Sequence, residues 1–464
     1  MSYLVNRENI KAKMGRLIQE EGSHIQSNLT KKQKKAVLLL SIGTFLEYFD
    51  LMVYIHMAVV LNELFFPKYD PHAAQLLLAF TLCSTYLLRP IGGLVFGWIG
   101  DNIGRKATVI ITTFMMAISC LIIANLPTYA EIGITATVIL SICRIMQGIT
   151  SMVEIVGAEL YLTETIKSSQ QYSVISLLVF LSVLGGTFAL GIASITIYYN
   201  CNWRYVFWFG TSVALIGSVA RTTLRETPEF VDAKRRMKRI FVDINEAQDI
   251  LKNDPIWTKK VNKITALSLF FIRCAVPVYF YLIFIHCGEI LRSNFGYTTE
   301  QVIHQNFFVS VVEILGILPL IYLSYYIYPI VILKIKLVIF WIFVLIYPYL
   351  LDNVRTPFDI FLLQSFMVLF EPRTIPATPI FYKYFPIFKR FTYCAFIHAI
   401  SRTVMYIITS FGLIYLTEYL GNYGLLVITI PIMIGYSFGI LHFEKLEKAS
   451  GNYPKKKKWF LLMN

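Results

Sequence analysis

The chain has 464 residues, 56% of them hydrophobic and 15% charged, with a mean hydropathy of +0.61 and a formal net charge of +14. A spanning helix needs roughly 20 apolar residues, and soluble chains rarely supply more than one such run. Here they recur from end to end, which excludes a water-soluble protein.

In chain order, twelve apolar runs are predicted as helices: 36–60, 74–98, 107–125, 133–157, 174–197, 203–220, 264–290, 303–323, 336–350, 357–380, 391–417 and 421–442. Tyr322 to Leu333 is apolar almost throughout, so the eighth and ninth are the hardest to separate. The predicted fold class is an all-α integral membrane protein with twelve transmembrane helices in two six-helix bundles. Residues 1–35 form an N-terminal tail, 36–220 the first bundle, 221–263 a charged linker, 264–442 the second bundle and 443–464 a basic tail. Six spans on either side of one linker suggest halves related about the membrane normal, with solute bound between them near the midplane.

The charge follows the loops. Of 42 Lys and Arg, 33 fall in segments on the side of the N-terminus and three (Lys68, Arg292, Arg355) on the other; Arg89, Arg144, Arg204, Arg273, Arg373 and Arg402 lie within or against helices. This is the positive-inside pattern, so both termini are expected in the cytoplasm. The excess is topological and attractive to anionic lipid, and argues against a nucleic-acid partner. No G-x-x-x-x-G-K-[ST] loop occurs, which disfavours ATP-driven pumping. The seven cysteines include no C-x-x-C pair and are read as free, buried thiols. No cleavable leader precedes the first span, which would itself direct insertion.

Ionisable residues inside spans are costly and mark pathways or pairs. Glu47 and Asp50 share one face of the first helix, continued by Tyr54. A rise of ~1.5 Å per residue puts Glu47, Asp50 and Arg89 at similar depths, about 18–22 Å from the N-terminal side, where they can pair. Two acids against one base leave a spare carboxylate for solute or proton handling; a structural ion pair is the other reading. The fourth helix adds Arg144, Gln147, Gly148, Glu154, Gly157 and Glu159. Glu154 reads either as a proton or ammonium site or as a partner for a distant arginine. Glu159 and Glu164 lie lower, within reach of Arg105. In the second half Arg273, His286, Glu289, Glu313, Glu371, Arg373, His398 and Arg402 punctuate apolar sequence. His398 and Arg402 share a face, and Glu371-Pro372-Arg373 marks a break that frees backbone groups for solute. A satisfied polar group is the better reading of His286 than a metal ligand. Tyr54, Phe49 or Tyr86 can offer ring faces to a quaternary ammonium. No nucleophile, base and metal set converges, so no catalytic or metal site is expected.

Between the second and third runs, Gly97-Trp98-Ile99-Gly100-Asp101-Asn102-Ile103-Gly104-Arg105-Lys106 sets small residues, an acid and two bases in a tight turn. The pattern resembles the signature loop of major facilitator transporters. Gly43-Thr44-Phe45-Leu46-Glu47-Tyr48-Phe49-Asp50, Leu88-Arg89-Pro90-Ile91-Gly92-Gly93, Arg144-Ile145-Met146-Gln147-Gly148 with Glu154, Trp203-Arg204 and Glu226-Thr227-Pro228-Glu229-Phe230 resemble the metabolite:H⁺ symporter family, its proline/betaine transporters in particular.

The resemblance covers about residues 36–230. It implies symport of a small polar metabolite with protons, no other cofactor, in a multi-pass plasma (inner) membrane protein whose functional unit is a monomer. A zwitterion such as proline or betaine is the expected solute; an organic acid, or a transport-deficient receptor, is the alternative. Glu47, Asp50, Arg89 and Glu154 map onto substrate and proton positions. Gly97, Gly100, Asp101, Gly104, Arg105 and Lys106 map onto a gating turn. Three departures stand out. The fourth helix reads Met152-Val153-Glu154 where the family has glycines. The turn after the eighth helix, Tyr325 to Lys336, has no Asp or Gly. No heptads follow residue 442. A one-sided gate is the consequence expected.

Overall fold

The computed structural model describes residues 29–65, 87–167, 170–199, 202–242 and 260–454. Within a bilayer each backbone N–H and C=O must find its partner inside the segment, so long apolar runs fold as helices. The first half comprises α1 (Lys31–Phe65), α2 (Arg89–Asn102), α3 (Arg105–Asn125), α4 (Ile134–Thr165), α5 (Gln170–Tyr198) and α6 (Arg204–Arg221), followed by α7 (Pro228–Val242) at the start of the linker. The second comprises α8 (Lys263–Phe280), a π-turn (Tyr281–His286), α9 (Cys287–Phe295), α10 (Thr299–Tyr326), α11 (Pro329–Asp352), α12 (Pro357–Phe370), α13 (Thr378–Tyr382), α14 (Ile387–Leu420) and α15 (Gly424–Ala449). No strand occurs among the described residues.

Each predicted run holds a helix, with residues 74–86 of the second outside the described residues, as are 1–28, most of the linker beyond Val242 and Lys455–Lys458. Seven described segments are long and apolar enough to cross a membrane, the last, Ile387–Ala449, containing two helices. Several helices overrun the predicted spans, among them α1, α4, α11 and α15. Hydropathy marks only the apolar stretch, whereas α4 and α15 continue through Glu159, Glu164, Glu444 and Glu447, all buried. α10 and α11 are separated by Ile327 and Tyr328 alone, because Pro329 starts a new helix at its first position. Local caps set other starts: Thr356 accepts from Asp359 N–H while the Asp359 carboxylate accepts in return.

α1 packs along α5, α2 along α14 and α5 along α10, so two of these contacts join the halves. Ile335, Val338, Ile342, Leu345 and Tyr349 leave one side of α11 exposed and apolar, a face suited to lipid. The five described cysteines are buried and free.

Candidate functional site

The face bearing the Gly97–Lys106 turn is closed by contacts between α2 and α14. A Cβ on Gly97 would lie 2.6 Å from Thr392 Cα, one on Gly93 3.0 Å from the Ala395 backbone and one on Gly100 2.5 Å from the Phe391 ring. Glycine permits this approach and no other residue does. Asp101 then accepts from Phe391 N–H (3.1 Å), Thr392 N–H (2.9 Å) and the Thr392 hydroxyl (2.8 Å). Arg105 lies 3.5 Å from Asp101, donates to both Glu164 oxygens at 3.1 and 3.2 Å and reaches the Ile387 carbonyl at 2.7 Å. Arg390 joins Glu164 (3.1 Å) to Glu229 (2.9 Å). Glu226 caps α3 through Arg105 N–H (3.0 Å), and a Cβ on Gly104 would stand 2.1 Å from its carboxylate. Lys106 contributes its backbone N–H to the same carboxylate at 3.2 Å.

Of the two acids expected to reach Arg105, only Glu164 does. Glu159 instead pairs with Arg273 of α8 at 2.8 Å and accepts from the Tyr382 hydroxyl at 2.5 Å. Helix rise gives the depth of an acid but not the neighbour its face meets.

The same limit corrects the first-half pairings. Asp50 pairs with Arg144 (3.1 Å) and accepts from Gln147 (2.8 Å), while Arg89 bears electrostatically on Glu47. Glu154 takes the second of its two readings: it is bound by Arg221 and accepts from Thr112 (2.9 Å) and Thr113 (3.1 Å). Arg221, counted above as a linker charge, is a buried residue at the end of α6 and also donates to the Leu39 and Leu40 carbonyls at 2.9 and 2.8 Å. Its position at the start of a charge-dense stretch hid it. Arg390 and Lys336, also counted as loop charges, are buried too.

Glu47 is 2% exposed, and neither carboxylate oxygen has a hydrogen-bond partner among the described residues. The nearest charges are Arg402, Arg89, Asp50 and Glu154.

Between the halves lies a cavity of about 90 Å³, room for a handful of waters or a solute of like bulk. Its charged lining comes mostly from the second half: Arg273, Glu313, Glu371, Arg373, His398 and Arg402, with Glu159 from the first. Glu47, Asp50, Arg89, Arg144 and Glu154 do not line it; they sit within the first bundle or against it. The helix break at Glu371–Ala377 turns Arg373 inward, where it pairs with Glu313 at 2.5 Å and with Glu371 more closely. Tyr436 anchors the break by donating to the Arg373 carbonyl at 2.7 Å. Lys336 is buried within electrostatic range of this cluster.

The side chains of Tyr54 and Tyr86 lie outside the described residues. Phe49 is packed against Phe45 and Phe209 away from the cavity. The aromatic lining is Tyr48, Phe280, Phe284 and Tyr406. His286 Nε2 has no hydrogen-bond partner among the described residues. No cluster of His, Cys, Asp and Glu among the described residues has metal-holding geometry.

The turn after α10 lacks acid and glycine, yet its face is also bonded. Tyr328 donates to Glu447 of α15, Tyr384 does so at 2.5 Å, and Lys383 pairs with the same carboxylate at 2.6 Å. Ser173 and Ser324 meet at 3.2 Å across the α5–α10 contact, beside the edge-on rings of Tyr172 and Tyr328. The asymmetry expected of the gate is present in the charges: among the described residues the charge-assisted bonds that cross the halves on this face lie at α2–α14, whereas Glu447 of α15 bonds residues of the second half.

Comparison with known proteins fits this arrangement. The chain is 30% identical over 279 residues to the proline/betaine transporter of Salmonella typhimurium, covering 58% of this chain and 55% of the relative. It is 34% identical over 206 residues to the proline/betaine transporter of Escherichia coli, covering 43% and 41%, and 32% identical over 272 residues to the inner membrane metabolite transport protein YhjE of Escherichia coli, covering 57% and 59%. The chain spans about half the length of the curated relatives it matches. The fold matches the proton:xylose symporter XylE bound to 6-bromo-6-deoxy-D-glucose, with TM-score 0.69 at 16% identity over 91% of this chain and 96% of that one. It also matches the human organic anion transporter MFSD10 (TETRAN), with TM-score 0.62 at 13% identity over 89% and 99%. A family model described as the Major Facilitator Superfamily matches residues 40–370. The chain belongs to the Major Facilitator Superfamily and has the fold of its transporters.

Proposed function

We propose that the chain imports a small polar metabolite together with protons by alternating access, with a zwitterion such as proline or betaine as the solute. The observation that carries the reading is the cavity between the halves, lined by arginines, acids and aromatic rings and shut off on the turn face by cross-half bonds. Such a site offers a base to a carboxylate and ring faces to an ammonium. The names of the bacterial relatives, proline/betaine transporter, point the same way. The proton gradient supplies the work, through buried carboxylates of the first helix, Glu47 and Asp50; no other cofactor enters the proposal. The basic excess on the N-terminal side sets both termini in the cytoplasm of a plasma (inner) membrane, which makes the closed turn face the cytoplasmic one. The functional unit is a monomer, in contact with lipid.

An organic acid is the second reading, favoured by Arg402, which forms no ion pair among the described residues.

The test is uptake of radiolabelled proline and betaine by proteoliposomes with and without an acid-outside pH gradient. Accumulation that collapses with a protonophore, and that Asp50→Asn or Glu47→Gln uncouples, is expected. Uptake indifferent to the gradient would rule out proton coupling. Absence of uptake for zwitterions and organic acids alike would rule out the solute class.

A further inference from the structure

His398, Arg402 and Tyr406 follow one another at four-residue steps on α14, so they share one face, and all three line the cavity. His398 is 2% exposed, and neither imidazole nitrogen has a hydrogen-bond partner among the described residues. Buried polar groups are nearly always bonded, so an imidazole left open at a cavity wall awaits a ligand. Arg402 is buried and hydrogen-bonds Tyr48 across from α1, but pairs with no acid among the described residues. The other two arginines of the cavity are taken: Arg273 by Glu159, and Arg373 by Glu313 and Glu371. The cavity thus keeps one guanidinium with no acid at ion-pair distance and one unbonded imidazole N–H, a set that fits two oxygens carrying a single negative charge. A dianion such as phosphate would need a second free cation.

We propose that His398, Arg402 and Tyr48 form a carboxylate subsite, so that a carboxylate is the obligatory feature of the solute; this rests on the transport reading above and narrows its substrate class. Glu47 explains how the subsite couples to a proton. It stands next to Tyr48 in sequence, unbonded, and the charges facing it are Arg402 on α14, Arg89 on α2, Glu154 on α4 and Asp50 on its own helix. An ionised Glu47 competes with the solute carboxylate for the field of Arg402. A proton on Glu47 ends that competition, so proton and solute each favour the binding of the other.

The full-length purified chain is tested by equilibrium binding of radiolabelled betaine, with proline, succinate and choline as competitors. Carboxylates are expected to bind or compete, and choline, which has the ammonium without the carboxylate, is not. Arg402→Gln lowers betaine affinity on the order of ten- to a hundredfold, the worth of a charge-assisted bond, and His398→Asn lowers it severalfold. Betaine binding by the Glu47→Gln variant loses its pH dependence, a readout that lost packing alone would not move. Choline displacing betaine as well as proline does, binding by none of the carboxylates, or Arg402→Gln within twofold of the unaltered chain each overturns the subsite. If Arg402→Gln does not fold, the choline comparison decides alone. Carboxylate binding without uptake in proteoliposomes would sink the transport reading and leave the subsite standing.

Discussion

The two junctions that close the turn face reach the same end with different chemistry. Where α2 meets α14, glycines bring two backbones into contact and Asp101, Arg105, Glu164 and Arg390 tie them with charge-assisted bonds. Where α5 meets α10, the contact is Ser173 on Ser324 and Tyr172 on Tyr328, and the charge is one acid, Glu447, held by Lys383 and two tyrosines. The first junction crosses the halves with one buried ion pair, Glu164–Arg390, and with charge-assisted bonds from Thr392 to Asp101 and from Arg105 to the Ile387 carbonyl. In the second the ion pair lies within the second half, and hydroxyls and rings make the contact. Contact between the halves at both junctions thus does not require the signature motif twice: at the second it rests on hydroxyls and rings, and the acid beside it, Glu447, comes from α15.

That contrast can be broken residue by residue. Arg105→Gln strips Glu164, Asp101 and the Ile387 carbonyl of one shared donor. Breaking a buried pair costs about 3–5 kcal/mol, and Arg390, which still reaches Glu164, keeps the loss near the lower figure. A large drop in the thermal midpoint of the detergent-purified protein and loss of uptake are expected. Gly97→Val sets a methyl-bearing carbon where only 2.6 Å is available. Overpacking of this kind costs about 1–3 kcal/mol, all of it against the closed turn face, so reagents should label a cysteine at residue 392 faster than in the parent. Glu447→Ala leaves Lys383 without its partner and two hydroxyls without their acceptor, about 1–3 kcal/mol, read as a smaller midpoint shift. Tyr328→Phe removes one bond from that set and costs about 1 kcal/mol. At the far end, Arg235→Ala on α7 breaks a 3.9 Å pair whose side chains are 73% and 61% exposed. It is expected to change stability by under about 0.5 kcal/mol, and a larger effect would mean that α7 bears on the turn face through more than the Glu229–Arg390 pair.

Much of this was legible in residue types and their spacing. Twelve apolar runs located the helices, and the glycines of the 97–106 turn marked a close approach whose partner was not named. Glu164 as partner of Arg105 followed from position, and so did the break at Glu371-Pro372-Arg373. What stayed hidden depends on helix rotation and on contacts between distant segments. Depth put Asp50 level with Arg89, but α1 turns it toward Arg144. Arg221 looked like a linker charge because it opens a polar stretch, although it is fully buried against Glu154. Glu447 lies past residue 442, the predicted end of the last span, where hydropathy no longer sees the helix. The cavity's charge, finally, comes from the second half, whose ionisable residues carried no recognisable motif.

If solute leaves the cavity through the turn face, both junctions must part. A disulfide across the quieter one tests it most directly. Ser173→Cys with Ser324→Cys replaces two hydroxyls that already touch. Oxidation should stop uptake of betaine or proline into proteoliposomes while leaving binding intact, and a reductant should restore it. Full uptake with the cross-link demonstrably formed would contradict the account, because the turn face would then not open through that junction.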